Sequence, residues 1–257
     1  MITLKWTAFV LGGQPCGEQD RIVALFGRES GLCRVRAPGA LKARNRLGGL
    51  LEPMTLGAFH LSRHREHSMP VLVRGDLLMT PFAVTSRPRG LLVFSLIRET
   101  LERFLPEHQP QPRTFRLVER LVVAALGGES LAGLGLYHLV WMLRLEGWLF
   151  DLEHCCRCGT VLEEDEETLL RGDGVGLLCL SCRRGEGEGL GILSSVARRF
   201  WRESRSCPPE GLERWGLTPR DWLSAYGAAV SLLEWHGDLR LQSAGLLRGP
   251  GGLTELQ

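Results

Sequence analysis

The chain has 257 residues, of which 44% are hydrophobic and 23% charged, and its formal net charge is +2. This length can bury a large hydrophobic core without disulfides, and the composition is that of a globular protein rather than a disordered one. A secreted or membrane protein is not expected. The apolar run at residues 6–11 is too short for a signal peptide, and the run at residues 131–143 is shorter than the roughly 20 residues of a membrane helix. We therefore expect a cytoplasmic protein, in which clustered cysteines bind metal or do redox work more often than they form disulfides.

Five short runs rich in β-branched and apolar residues follow one another in the first 80 residues. Turns containing glycine, proline and charged residues separate them at spacings typical of a small β-barrel. Five strands in this arrangement predict an OB-fold domain over residues 1–80, of the kind that binds nucleic acids. The runs are "TAFVL", "RIVALF", "GLCRVRA", "MTLGAFHLS" and "MPVLVRG".

Basic residues are concentrated in this predicted barrel. Residues 1–80 contain eleven Lys or Arg against six Asp or Glu, and residues 34–46 contain five basic residues and no acidic one. A cationic groove follows a phosphate backbone, and it shows little sequence preference when few aromatic residues are available to stack on bases. The alternative is a solvated surface without function. The candidate contacts to single- and double-stranded DNA are Arg34, Arg36, Lys42, Arg44, Arg46, Arg63, Arg65 and Arg74.

Beyond residue 80 the pattern of apolar residues becomes helical. Residues 91–105 are apolar and helical in character, and apolar residues recur at steps of three and four from Leu131 to Trp148. The second pattern predicts an amphipathic helix on which His138 is a hydrogen-bonded core residue. The fold class is therefore mixed α+β, with a helical domain in two parts, residues 81–150 and 191–257.

Two further helices are predicted after residue 190, from "SSVARRFWRES" and "DWLSAYGAAVSLLEWHG". Ser194 or Ser195 is a suitable N-cap for the first of them. This helix carries a second group of basic residues, which we interpret as a solvated helix face rather than a binding surface. The group comprises Arg198, Arg199, Arg202 and Arg205.

Two C-x-x-C pairs separate the two helical parts and define a module over residues 151–190. Cys155 and Cys158 form the first pair, Cys179 and Cys182 form the second, and twenty residues lie between them. This spacing is close to that of a zinc ribbon. Four thiolates saturate tetrahedral zinc and leave no position for water, so the predicted cofactor is one structural zinc ion.

Other interpretations of the cysteine cluster remain open. A redox-active pair is the competing chemistry, and His154 could replace one of the thiols. Cys156 lacks a second cysteine three residues away, so it is left out of the ligand set. Gly159, directly after the first pair, can adopt the left-handed conformation that a metal-binding turn favours.

Several of these segments resemble the bacterial RecO recombination mediators. The similar segments are "CGEQDRIVALFGRESGL", "RLGGLLEPMTLGAFHLSR", "YHLVWMLRLEGWLFDLEHCCRCG" and the distal "CLSC", and the resemblance covers about residues 5–185. It implies an OB domain, a central helical bundle and a zinc module. It also implies a DNA-binding protein that anneals complementary strands coated by single-strand-binding protein and works with RecR to load RecA. One departure is that "RAPGALKAR" stands where the family usually has a basic "ARG"-like run, so its basic residues are displaced to either side.

The resemblance further implies recognition of the C-terminal tail of single-strand-binding protein. That tail is acidic with a hydrophobic end, so a binding site needs an apolar pocket with a positively charged rim. The alternative is that the arginines of this region only solvate the helical bundle. The candidate pocket wall is Leu117, Leu121, Leu139 and Leu143, and the candidate rim is Arg113, Arg116, Arg120 and Arg144.

No motif of nucleotide-dependent or hydrolytic catalysis is present, because the chain has no G-x-x-x-x-G-K-[ST], no G-x-S-x-G and no H-E-x-x-H. The histidines of "RHREH", His64 and His67, lack nearby paired carboxylates for a nuclease metal site. We therefore expect a protein that is not an enzyme and that acts in the cytoplasm at the nucleoid. The alternative is a zinc-ribbon transcription or RNA-binding factor, which an annealing assay would distinguish.

Overall fold

The computed structural model describes residues 2–42, 45, 47–65, 68–185 and 189–248. The chain divides into two compact units. The first, here called the sheet unit, comprises Met1–Phe94 and Arg98–Glu119. The second, here called the helical unit, comprises Ser95–Ile97 and Arg120–Gln257.

The sheet unit is built on five strands, as the sequence predicts. They hydrogen-bond in the order β1-β2-β3-β5-β4, and β4 pairs again with β1, so that the sheet closes on itself. All pairs are antiparallel except β3 with β5. An irregularity in register between Val10 and Gly12 bends the long first strand, which lets it pair with β2 along one part and with β4 along another. The strands are β1 (Ile2–Cys16), β2 (Asp20–Gly27), β3 (Gly31–Ala37), β4 (Leu56–Arg63) and β5 (Val71–Met79).

The core of the closed sheet follows from the alternation of side chains along each strand. On β3 the buried Cys33, Val35 and Ala37 alternate with the exposed Arg34 and Arg36. Leu50, in the 3₁₀ turn Gly48–Leu51, is part of this core and packs against two glycines of the sheet. A Cβ atom at Gly57 or Gly75 would lie 2.8 or 2.6 Å from a methyl carbon of Leu50, so a larger residue at either position would have to displace Leu50. The core comprises Ala8, Val10, Val23, Leu25, Val35, Ala37, Ala40, Leu50, Leu51, Phe59, Leu61 and Leu72.

Helical segments cover part of the outer face of this sheet. Phe115 packs its ring 5.2 Å from that of Phe9 and 5.6 Å from that of Phe26, and all three rings are fully buried. These aromatic residues are therefore core residues and offer no stacking surface to bases. The backbone N–H of His108 donates to the carbonyl oxygen of Leu32 at 2.9 Å. This bond pairs β3 with the loop between the helix that ends at Phe104 and the helix that begins at Pro112. The helices of this region are α1 (Phe82–Thr85), α2 (Pro88–Phe104) and α3 (Pro112–Leu126). Ser95–Ile97 of α2 and residues 120–126 of α3 belong to the helical unit.

The helical unit is organised around α4 (Leu131–Leu145), which is buried on nearly all sides. The expectation of an amphipathic helix was wrong here, because an apolar sequence all round a helix is accommodated only at the centre of a unit. Burial lowers the pKa of His138 to about 3, so this histidine is neutral. Trp222 donates from Nε1 to the carbonyl oxygen of Ala132 at 3.0 Å, which anchors the start of α4.

The cysteine module follows α4 and contains little regular structure. Its two short strands and a third strand directly after it form a small antiparallel sheet in the order β7-β6-β8. Although its strands are short, the module buries several leucines, namely Leu152, Leu162, Leu169, Leu170, Leu177 and Leu178. The elements are β6 (Thr168–Leu170), β7 (Leu177–Leu178), α5 (Leu180–Arg183) and β8 (Gly191–Leu193).

Three helices complete the helical unit. Ser194 caps the first of them, since its Oγ accepts from the backbone N–H of Ala197 at 3.2 Å, as one of the two predicted caps. Thr218 and Asp221 form a reciprocal capping box at the start of the next. None of the described helices combines the length and apolarity that a membrane crossing requires. The three are α6 (Ser195–Glu203), α7 (Pro219–Gly237) and α8 (Gln242–Arg248).

Candidate metal centre and nucleic-acid interface

The four predicted cysteine ligands lie together. The sulfur atoms of Cys155, Cys158, Cys179 and Cys182 are all within 4.8 Å of one another. A Zn–S bond of about 2.3 Å in tetrahedral geometry places the sulfur atoms about 3.8 Å apart. Because the Sγ atoms of Cys158 and Cys179 are 3.9 Å apart, the cluster fits one zinc ion.

The turn that carries the first pair explains how two sulfur atoms can face one point. The backbone N–H of Gly159 donates to the carbonyl oxygen of Cys155 at 2.9 Å, and that of Cys155 donates to the carbonyl oxygen of Thr160 at 2.9 Å. Gly159 has a φ of +72°, in the left-handed region where glycine is favoured. The turn therefore closes within the C-x-x-C segment and directs both side chains to the same side.

The second pair is placed by α5. Cys179 is the N-cap of this helix, and Cys182 follows one turn later on the same side. The backbone N–H of Cys179 also points at Cys155 Sγ, at 3.5 Å. Arg157 Nη1 donates to the carbonyl oxygen of Cys182 at 2.9 Å, which links the end of the second pair to the turn of the first.

The thiols of Cys158 and Cys182 differ in acidity. Hydrogen bonding with Thr160 lowers the pKa of the Cys158 thiol to about 6, whereas the neighbouring Cys158 raises the pKa of Cys182 to about 12. Hydrogen bonding between neighbouring sulfur atoms thus favours one thiolate at the expense of another, and four thiolates this close together would also repel one another. A divalent soft cation would relieve this repulsion, and thiolates are the ligands that zinc prefers.

The two spare side chains of the module are engaged elsewhere. His154 Nδ1 lies 2.8 Å from Asp151 Oδ2, in a hydrogen bond outside the cluster. Cys156 lies over Gly176, where a Cβ atom would be only 2.5 Å from that of Cys156. Within the described part of the chain, neither residue belongs to the group of four sulfur ligands.

The candidate DNA contacts of the sheet unit gather near the meeting point of β3, β4 and β5. Arg36 lies opposite Val71, which lies opposite Ser62, so Arg36 and the following Arg63 are close to the same edge. Arg65 continues from this edge into the loop after β4, and Lys42 is exposed in the loop after β3. Arg44 and Arg46 lie outside the described residues.

Arg34 differs from the rest of the set. Its Nε lies 3.1 Å from Glu107 Oε1, and its charge also acts on Glu102. A phosphate would have to displace a carboxylate to bind there. Among the described residues, Arg36, Lys42 and Arg74 have no such ion pair.

Two residues of the sheet unit are aligned with this basic set although sequence reasoning did not select them. Strand register places Lys5 opposite His60 and His60 opposite Arg74, so the three side chains form one row across β1, β4 and β5. His60 Nε2 lies 3.9 Å from Asp76 Oδ2. Only the register reveals this row, because Lys5 and Arg74 are far apart in the chain.

The leucines proposed as a pocket wall are core residues. Leu117 is 8% exposed and Leu121, Leu139 and Leu143 are fully buried, so they do not form an open surface. The arginines proposed as the rim fall into two kinds. Arg113 and Arg116 are exposed, whereas the others have protein partners. Arg120 pairs with Glu210 at 2.9 Å, and Arg144 donates to Ser204 Oγ at 3.0 Å and to the carbonyl oxygen of Trp201.

The second basic group is a solvated face only in part, because Arg199 and Arg205 are exposed whereas Arg198 is only 4% exposed. Arg198 makes contacts within the protein. Its Nη2 donates to the carbonyl oxygen of Glu163, and burial lowers its pKa. Arg202 lies 3.9 Å from Glu164, and on α7 Arg220 pairs with Glu167 at 3.1 Å. The acidic run after the first cysteine pair explains these contacts, since its carboxylates and carbonyl groups meet arginines of α6 and α7.

Comparison with known proteins finds one family along most of the chain. The family model described as Recombination protein O N terminal matches residues 1–80, and the model described as Recombination protein O C terminal matches residues 86–244. The chain is 33% identical over 178 residues to the DNA repair protein RecO of Koribacter versatilis, covering 69% of this chain and 71% of the relative. It is 30% identical over 262 residues to the DNA repair protein RecO of a Synechococcus species (strain JA-3-3Ab), covering 96% of this chain and 85% of the relative.

Proposed function

We propose, from the premise that this chain belongs to the recombination protein O (RecO) family, that it is a mediator of DNA repair and recombination rather than an enzyme. The finer activity that we propose is annealing of complementary single strands. We further propose that the protein, with RecR, helps to load RecA onto DNA coated by single-strand-binding protein, in the cytoplasm at the nucleoid. The observation that carries this proposal is that both family models match, together covering residues 1–80 and 86–244.

We propose that the closed sheet is an OB fold. Its strand order, β1-β2-β3-β5-β4, and its closure between β1 and β4 support this assignment, because a five-stranded Greek-key barrel has this arrangement. OB folds bind nucleic acid on the face of strands 2 and 3 and in the loops after strands 1 and 4. Arg36 on β3 and Arg65 after β4 occupy such positions.

The proposed DNA interface binds the backbone through charge. Its members are Arg36, Lys42, Arg63, Arg65 and Arg74, with Lys5 added by strand register and Arg34 ranked last because of its carboxylate partner. If about five phosphates are neutralised, the logarithm of the association constant should fall against the logarithm of salt concentration with a slope of about −3.5 for single strands.

A triple variant tests this interface. Arg36→Ala, Arg65→Ala and Arg74→Ala together should make the slope shallower by about 2, because about three counterions fewer are released. A matched control removes three exposed arginines of the helical unit, Arg184, Arg199 and Arg214, and should leave the slope unchanged. Equal slopes for the two triple variants would place DNA binding on another surface.

Annealing tests the function itself. Fluorescently labelled complementary oligonucleotides should pair faster with the protein than without it, both as naked strands and when coated by single-strand-binding protein. The triple variant should lose most of this acceleration and the matched control should keep it. A protein that binds DNA but accelerates neither reaction would contradict the annealing proposal.

We propose one structural zinc ion on Cys155, Cys158, Cys179 and Cys182. The proximity of the four sulfur atoms supports it. When bound, the ion would neutralise the thiolates and hold the two C-x-x-C segments together. Elemental analysis should return one zinc per chain, and a Cys156→Ser variant should retain it.

We also propose that α3 contacts the acidic tail of single-strand-binding protein. Arg113, Arg116 and Arg120 lie at steps of three and four on this helix, and its end exposes Val123 and Leu126. A labelled tail peptide should bind the protein and lose binding when Arg116 and Arg120 are changed to Glu. Binding of DNA by this variant should be unchanged. A peptide that binds parent and variant equally would contradict the placement on α3.

A further inference from the structure

The fifth strand has one paired edge and one open edge. On one side β4 pairs with it from Val71 to Met79. On the other side β3 pairs with it only at Val71, opposite Arg36. In the part of the chain that the structure describes, no other backbone group is hydrogen-bonded to residues 73–79 along this second edge. An open edge presents unpaired N–H and C=O groups that another strand can use.

The open edge is also apolar, which is unusual for a strand that remains unpaired. Val73, Leu77 and Leu78 are 64%, 55% and 54% exposed. Register shifts in the pairing with β4, at His60 and at Leu56, accompany these exposed positions. Proteins usually protect such an edge with charged side chains, prolines, β-bulges or a covering segment. Here the exposed apolar side chains make pairing with another strand favourable.

The sequence along this edge is complementary to itself when reversed. Residues 73–77 read Val-Arg-Gly-Asp-Leu, an apolar residue and a charge on each side of a central glycine. If two copies align antiparallel with Gly75 opposite Gly75, then Arg74 lies opposite Asp76 of the second copy. Val73 then lies opposite Leu77 of the second copy. Every charge meets its opposite, and every apolar residue meets an apolar one.

The positions of the charged side chains agree with this alignment. Arg74 and Asp76 are two residues apart and therefore share one face of β5. They lie opposite His60 and Ala58 on β4, and both are exposed. A strand with a single sign of charge would repel a copy of itself, because like charges directly opposite are destabilising. The mixed pattern about Gly75 has the reverse effect.

We propose that β5 is a self-association edge, through which two copies of this chain pair antiparallel over residues 73–77. The pairing is two-fold symmetric, so each contact occurs twice. Opposite-charge and apolar cross-strand pairs both stabilise antiparallel sheets. Because one short strand buries little surface, the dimer is weak and depends on protein concentration.

Charge reversal with rescue tests this pairing. Sedimentation velocity over a concentration series, without DNA because Arg74 is also a proposed DNA contact, should show a dimer of the parent chain. Arg74→Asp places carboxylates opposite each other, and Asp76→Arg places guanidinium groups opposite each other. Either change should weaken the dimer by about tenfold or more. The double variant, Arg74→Asp with Asp76→Arg, restores opposite charges and should restore the dimer.

Mixing provides a second test that depends on the alignment itself. The two single variants have complementary charges, so an equimolar mixture should form a mixed dimer at concentrations at which each variant alone is mostly monomeric. Arg199→Asp, the same change at an exposed position of α6, should leave the parent dimer unchanged. Circular dichroism confirms that each variant is folded. A monomer at all concentrations would overturn the proposal. A dimer that survives the single changes, or that neither the double variant nor the mixture restores, would overturn it too.

Discussion

The closed sheet and the cysteine module hold their structures by different means. In the part of the chain that the structure describes, the sheet surrounds a core of twelve buried residues, and Phe59 and Leu61 in it are completely inaccessible. The module has strands of two and three residues, and Cys155 and Cys179 are themselves among its buried side chains. A region with a full hydrophobic core folds by excluding water, whereas a region this small needs a cross-link. The two should therefore respond to different perturbations.

Metal removal should have the largest effect, and it should be confined to the module. A chelator, or Cys179→Ser, should abolish amide protection over residues 151–185, because a metal site of this kind supplies folding free energy locally. The five strands of the sheet should keep their protection in hydrogen exchange. Cys156→Ser is the matched control and should change neither region. Loss of protection in both regions would show that the sheet also depends on the metal site.

A cavity in the sheet core should destabilise the sheet unit and leave the cysteine module unchanged. Phe59→Ala should lower the free energy of unfolding of the sheet unit by about 3–5 kcal/mol, measured by urea denaturation. Phe82→Ala makes the same chemical change at a side chain that is 63% exposed, so its effect should stay within about 0.5 kcal/mol. Zinc content should remain one per chain in both variants. Release of zinc by Phe59→Ala would show that the two regions are coupled.

Mild acid should lower the free energy of unfolding of the helical unit more than that of the sheet unit, and this effect should be smaller than the two above. The folded-state pKa of His138 is about 3, whereas an unfolded histidine has a pKa of about 6.5. Below pH 6.5 the unfolded state binds a proton that the folded state does not, so stability is lost as the pH falls from 6.5 towards 3. At pH 5 the loss is about 2 kcal/mol. The described histidines of the sheet unit, His60, His64 and His108, are at least partly exposed.

His138→Gln isolates this contribution, because any acid release of zinc is common to parent and variant. The difference between their unfolding free energies should depend on pH below 6.5 and be constant above it. A constant difference from pH 7 to pH 5 would mean that His138 does not titrate on unfolding.

The smallest expected effect concerns one helix end. Thr218 accepts from the backbone N–H of Asp221 at 3.2 Å, and Asp221 accepts from the backbone N–H of Thr218 at 3.1 Å. Thr218→Ala should destabilise the helical unit by about 1 kcal/mol without changing the sheet unit. Thr218→Ser retains the hydroxyl group and should behave as the parent does. Equal unfolding curves for the Ala and Ser variants would show that the cap contributes nothing.

Local pattern was enough to predict the elements that depend on nearby residues. The five strands follow from apolar runs between turns, and the C-x-x-C turns follow from residues three apart. Family resemblance also rested on such local segments. Predictions about solvent exposure were less accurate. Arg198 is buried and Leu121, Leu139 and Leu143 are core residues, because the exposure of a helix face depends on which other segments pack against it.

The sequence by itself determined where β-strands, helices and paired cysteines occur, since periodicity and short spacing are properties of adjacent residues. Only the tertiary structure decided which distant residues share a surface. Strand register aligned Lys5 with His60 and Arg74, and it left the edge of β5 open beyond Val71. The partner of Arg34 was decided in the same way, because Glu107 lies 73 residues further along the chain. Such contacts arise when the chain closes on itself, and a one-residue change in register would move every side chain of a strand to the other face.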